Sequence, residues 1–166
     1  MKKTKKNSVW GTRMNKVVSS ILQSANSSIE IDKRLFQEDI NGSIAHCTML
    51  AKQKIIDVTK SKKIIAGLKK IEQEIQKNKF IFKTKHEDIH LNIEKRLFEI
   101  IGTDAGFLHT ARSRNDQVTT DFKLWIKKSS NEIKNLLNIL IKSFLNLADK
   151  NIDIIMPGFT HLKNAQ

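Results

Sequence analysis

Residues 109–117 read HTARSRNDQ and run straight into an apolar-periodic segment, VTTDFKLWIKK. Arg112 and Arg114 offer planar forks that grip carboxylates through two bonds at once. Ser113, Asn115 and Gln117 add neutral donors. A helix beginning here would add unpaired N–H groups and a partial positive charge. Together these features describe a site for a small carboxylate-bearing molecule at the foot of a helix. A capped helix with solvated arginines explains the same Ser, Asn and Asp without any ligand. Residue types alone leave both readings open.

The end of the chain carries a second candidate. In PGFTHL, Thr160 and His161 follow a Pro157-Gly158 pair expected to form a rigid turn. A histidine there could act as a general acid or base near neutral pH; a structural or solvent-facing histidine fits equally. His46 and Cys47 are neighbours in a helical stretch, do not face each other, and read as packing. His86 and His90 flank HEDIH four residues apart, a spacing that metal ligands use on a helix. Too few further ligands accompany them, and no metal is expected.

The elements that must position these groups read as helices. Ile31, Leu35, Ile40, Ala45 and Met49 fall near a 3.6 period from about Ile29, after an irregular stretch over 1–27. Ile64, Leu68, Ile71 and Ile75 mark a second helix, with Thr59 or Ser61 as its cap. A non-helical link, NKFIFKTKH, follows. A third helix starts near Asp88, shows Ile89, Ile93, Leu97, Ile100 and Ile101, and stops at Gly102. The fourth is a rod over about 116–148, capped by Asn115 or Asp116. Ile126, Ile133, Leu140 and Leu147 repeat along it every seven residues. Its apolar side calls for a helical bundle, shared between subunits. No strand alternation is visible, and the fold class is all-α.

Composition narrows the function classes. The 166 residues contain one Pro and 6 Gly, so turn chemistry is scarce, and a single cysteine excludes an internal disulfide. No apolar run reaches membrane-spanning length, and the basic start MKKTKKNSVWG lacks the apolar segment of a secretory signal. The formal charge of +13 raises the question of a nucleic-acid partner. The lysines, however, are spread singly and in pairs rather than along one stripe with aromatics between, and no nucleic-acid or membrane partner is expected.

HTARSRNDQVTTDFKLW resembles the signature at the start of the long helix in argininosuccinate lyases. Four further segments resemble that family in the same order. These are VWGTR (the family's Trp-Gly-Gly-Arg), NSSIEIDKRLFQEDINGS, EDIHLNIEKRL and MPGFTHLKNAQ. The resemblance implies an all-α homotetramer of the fumarase/aspartase superfamily, with domains 1–111 (N-terminal, helical) and 112–166 (the start of a central bundle). It implies cofactor-free, reversible β-elimination of argininosuccinate to arginine and fumarate in the cytoplasm, as a step of arginine biosynthesis. It carries His161 over as a catalytic acid–base residue. Ser28, Arg114, Asn115 and Thr160 carry over as substrate contacts, and Asp88, Arg112 and Ser113 as supporting residues.

Two positions depart from the family: Lys163 stands where Gln is usual, and Thr12 replaces the second Gly of the N-terminal motif. The family's downstream serine loop, which carries the partner base, is absent from these 166 residues. The expectation is therefore an N-terminal portion that is inactive alone. The alternatives are a non-catalytic or crystallin-like relative and a basic nucleic-acid-binding helical module.

Overall fold

A computed structural model describes residues 20–165. The VWGTR motif, Thr12 included, lies outside the described residues. The helices run in order: α1 (Ser20–Asn26), α2 (Ile29–Asp32), α3 (Phe36–Lys52), α4 (Val58–Gln76), α5 (Ile89–Ile101) and α6 (Arg114–Lys150). Single 3-10 stretches precede α3 (Lys33–Leu35), α5 (Thr84–His86) and α6 (Gly102–His109). The chain divides after Trp125 into two compact units. The helical character agrees with the all-α reading.

In the first unit α3, α4 and α5 pack around Ile40, Cys47, Leu50, Ile64, Leu68, Ile71, Ile89, Ile93 and Leu97, all buried. Ala105 and Leu108 of the 3-10 stretch close one side. The α4 periodicity holds, because Ile64, Leu68 and Ile71 are fully buried. At Gly67 a Cβ would come 2.5 Å from Leu97 Cδ1, so the missing side chain lets α4 and α5 approach closely.

The α5 limits also agree with the sequence. The Asp88 side chain accepts from Leu91 N at 2.6 Å, and Gly102 ends the helix at φ 71°, a conformation glycine takes without strain.

Three local expectations need correction. Ile31 and Met49 are 73% and 42% exposed, and Ala45 is exposed too. Ile31 is cut off from α3 by the 3-10 turn at Lys33–Leu35, whereas Ala45 and Met49 fall on the outer side of α3, whose buried stripe is Ile40, Ser43, Cys47 and Leu50. Asp57, not Thr59 or Ser61, caps α4 by accepting from Thr59 N at 2.7 Å; Ser61 is buried against Cys47, whose Sγ lies 3.4 Å from its Oγ. Residues 20–26 of the stretch read as irregular form α1.

In the second unit, α6 continues to Lys150 and leaves Ile126, Ile133, Leu140 and Leu147 exposed, by 43 to 58%. Phe159–Thr160 then pairs antiparallel with Lys163–Asn164. The turn of this hairpin is His161–Leu162, at φ 48° and 63°. It is not Pro157-Gly158, which runs into the first strand without a turn. Two consecutive positive φ values give the mirror-image turn whose twist suits a two-residue hairpin. No helix among the described residues is long and apolar enough to cross a membrane.

Candidate functional site

The start of α6 is built by its own sequence. Ser113, rather than Asn115 or Asp116, caps it: the Ser113 hydroxyl accepts from Asn115 N at 3.2 Å, and its carbonyl accepts from Gln117 N at 3.1 Å. Arg114 is 30% exposed, and two of its N–H groups are in use. Nη1 donates to Gln117 Oε1 at 2.9 Å and Nη2 to Glu94 Oε2 of α5 at 3.0 Å. A guanidinium has five N–H donors, so three remain for a ligand while the fork stays fixed. Asn115 is exposed beside it.

Arg112 points the other way, into the protein. Its Nη1 donates to Ser43 Oγ at 3.0 Å, and its Nε is buried without a partner. Burial, the largest influence, pulls its pKa below the ordinary guanidinium value.

Under this helix start lies a buried polar cluster that residue-by-residue reading missed. Asp39 of α3, His90 of α5, and Gln117 and Asp121 of α6 are all at most 6% exposed. Gln117 Nε2 donates to Asp39 Oδ1. His90 Nδ1 lies 3.0 Å from that same oxygen and 3.4 Å from Asp121 Oδ2. Because Asp39 can only accept, it fixes the Gln117 amide with its oxygen toward Arg114. The Arg114 guanidinium at the surface is thus oriented from the core.

Two carboxylates so close cannot both hold a full charge cheaply. Burial, then the Asp39 charge, pushes Asp121 up to about 8. Burial would also raise Asp39, but the hydrogen bond and charge of His90 leave it below its ordinary value. Burial works to lower His90, and the bond and charge of Asp39 outweigh it. The cluster therefore holds one carboxylate, one carboxylic acid and a histidine that favours its charged form. The three potential metal-ligand atoms of Asp39, His90 and Asp121 lie within 4.8 Å of one another. Gln117 and His90 already occupy Asp39 Oδ1, however, so hydrogen bonds account for the arrangement.

Ser28 and Asp88 are also brought together. Ser28 N and Ile29 N donate to Glu87 O at 2.9 and 3.0 Å, docking the α2 start on the α5 start. Ser28 Oγ donates to Asp32 Oδ2 at 2.5 Å, and Ile89 N donates to Asp32 Oδ1 at 3.2 Å. Burial, the largest influence, raises Asp32, and the nearby Asp88 charge adds to the rise. His90 is close enough to both carboxylates to oppose that rise at Asp32 and to be held charged itself by Asp88. The Ser28–Asp32–Asp88 group thus adjoins the cluster beneath Arg114. His86 sits in the 3-10 stretch ahead of the Asp88 cap, so it does not share a helix face with His90. Thr160 and His161 belong to the second unit, both exposed, with His161 at the hairpin tip.

Comparison with known proteins follows the same residues. The pattern of a family described as lyase matches residues 12–166. The chain is 59% identical to the argininosuccinate lyase of Pelagibacter ubique (strain HTCC1062), over all of the chain and 36% of that protein. It is 54% identical to the argininosuccinate lyase of Ehrlichia chaffeensis, over 97% of the chain and 34% of the relative. For the argininosuccinate lyase of Bartonella bacilliformis the identity is 48%, over 96% of the chain and 34% of the relative. The chain spans about a third of the length of the curated relatives it matches.

Proposed function

The chain belongs to the lyase family whose pattern covers residues 12–166, and from that premise we propose that it supplies the substrate-clamping part of an argininosuccinate lyase. The observation that carries the reading is the α6 start. Arg114 is held in a fixed orientation by Gln117 and Glu94 and keeps donors free, beside exposed Asn115 and at a helix N-terminus. Such a place suits a dicarboxylate whose charge grows during reaction.

In the proposed reaction, a base removes the proton beside one carboxylate of argininosuccinate. The resulting carbanion places negative charge on that carboxylate. The C–N bond to the guanidinium then breaks, its electron pair leaving with nitrogen, which takes up a proton. Fumarate and arginine result. Arg114, Asn115, Ser28 and Thr160 bind the substrate, and His161 moves a proton. Asp88, Arg112 and Ser113 hold the frame. No cofactor takes part. The working form is a cytoplasmic homotetramer, in which the exposed stripe of α6 packs against other long helices.

A complementation assay tests this reading. The chain is mixed with a separately made polypeptide carrying the remaining two thirds of the Ehrlichia chaffeensis relative. Fumarate release from argininosuccinate, followed by ultraviolet absorbance, is expected from the mixture. A folded, associated mixture that releases none would reject the assignment.

A further inference from the structure

We propose that the cavity between the α4–α5 loop and the outer side of α5 is a binding site for a small polyvalent anion, separate from the α6 start. The cavity holds about 200 Å³ and is lined by Lys79, Lys83, His86, Asn92, Lys95 and Arg96, among others. The α6 start uses His90 and Glu94 of α5; this cavity uses Asn92, Lys95, Arg96 and Glu99, which recur on the other side of the helix.

The walls are built rather than loose. Lys79 N and Phe80 N both donate to Glu74 O, at 2.8 and 3.1 Å, pinning the loop to α4. At its other end Asn92 Oδ1 accepts from Lys83 N at 2.8 Å, and Asn92 Nδ2 donates to Lys83 O at 3.3 Å, pinning the loop to α5. Phe80 and Phe82 pack ring to ring at 4.9 Å between those anchors. Arg96 spans α5 and α4 with a two-point grip on Glu74, both contacts at 2.8 Å, and a third contact to Glu99 at 2.9 Å.

Charge and hydrogen bonding inside this frame both point to an anion as the ligand. The two acids of the lining, Glu74 and Glu99, are occupied by Arg96, with Lys83 3.6 Å from Glu99. Lys79 and Lys95 make no ion pair among the described residues, so the cavity carries excess positive charge. His86 Nδ1 is buried with no hydrogen-bond partner. Burial lowers the pKa of His86, and Lys85, Lys83 and Lys95 lower it further, against a rise from the Asn92 side chain. Lysines are spread over the whole chain, so charge alone selects nothing. The recess of about 200 Å³ and the unpaired imidazole nitrogen in its wall single out this place. An anion seated there accepts from the Lys95 and Lys79 ammonium groups, with the His86 ring in the cavity wall. Phosphate and dicarboxylates share that chemistry.

The test is a nuclear magnetic resonance titration of the 166-residue chain at constant ionic strength, inorganic phosphate replacing chloride, with succinate as a second arm. The expected result is a saturable shift of the His86 ring signals at millimolar anion. Lys95→Gln should weaken binding at least about fivefold, the loss expected for one charged donor at a partly buried position. Lys95 makes no ion pair or side-chain hydrogen bond among the described residues, so the change removes no polar contact that holds the fold. Tighter binding of phosphate identifies a phosphoryl group as the natural ligand, and tighter binding of succinate a carboxylate. Shifts that fail to saturate and spread evenly over the surface lysines would overturn the site. So would saturable binding that neither Lys95→Gln nor His86→Asn alters.

Discussion

Asp121→Asn should remove most of the pH dependence of stability between about pH 5 and pH 7.5. The wild-type side chain is buried against Asp39 and pushed from 3.8 to about 8. Between those values the folded chain holds a proton that the unfolded chain has released. Stability therefore falls as pH rises, by about 1.4 kcal/mol per unit for one proton. Over two and a half units the loss is roughly 3 kcal/mol. His90 acts with the same sign from its ordinary value of 6.5 upward, because its folded value is raised, whereas His46 and His86, lowered by burial, act in the opposite sense below 6.5. Asp39 is lowered from 3.8, so its contribution is lost only in more acid solution and does not enter this window. Arg112 is the further cation facing both acids, and it stays charged throughout.

Asparagine at position 121 keeps the shape of the protonated acid and donates an N–H to Asp39 in place of the shared proton. A Cβ at Gly42 would stand only 3.2 Å from Asp121 Oδ1, so α3 approaches closely here and the equal size of Asn matters. Urea unfolding followed by circular dichroism at pH 5, 6, 7 and 7.5 measures the slope. The variant is expected to lose more than half of it and to equal or exceed the wild type at pH 7.5. An Asp121→Asn variant with a slope as steep as the wild type's, and less stable than it at pH 7.5, would refute the shared proton. An unchanged slope in Asp121→Asn would assign the proton elsewhere.

In an active assembly containing this chain, Arg114→Lys should lower kcat/KM for argininosuccinate by more than about threefold, because Lys keeps the charge but loses the fork; steady-state kinetics decides it. His161→Asn should slow the chemical step by about 10²-fold or more while leaving substrate affinity within a few-fold, as rapid-quench single turnovers can show. Leu68→Ala removes a fully buried side chain between α4 and α5 and should cost about 2–5 kcal/mol in urea unfolding. Ile133→Asp should abolish association of the exposed α6 stripe in light scattering without changing helix content, since a charge would be buried there without a partner.

What the sequence reveals is what local chemistry controls. Asp88 and Gly102 mark both ends of α5 because a cap and a positive-φ stop act within one turn. The α4 stripe is legible because it runs through one uninterrupted helix. Ile31 misleads because a 3-10 turn separates it from α3, and Met49 because nine residues put it half a turn round α3 from buried Ile40. Arg114 stands out by type and place, yet its orientation depends on Asp39, which is 78 positions from Gln117. The buried Asp39–His90–Asp121 cluster joins three helices through tertiary packing. Its only local trace is Gln117 and Asp121, polar residues four apart on one side of α6. His161 is legible as a loop residue, whereas its place inside the turn is set by strand pairing on either side.

The most direct measurement is made on a graft. Residues 1–166 replace the matching third of the Pelagibacter ubique argininosuccinate lyase, and the purified protein, free of host lyase, is assayed for fumarate release from argininosuccinate. A clamp built as described should give turnover within about tenfold of the intact relative, since misplacement by ~1 Å would already cost on the order of 10²-fold. Arg114→Lys in the same graft should reduce it further. A graft with the relative's folded, assembled state but no fumarate release would contradict the central claim that this chain carries a working clamp for argininosuccinate.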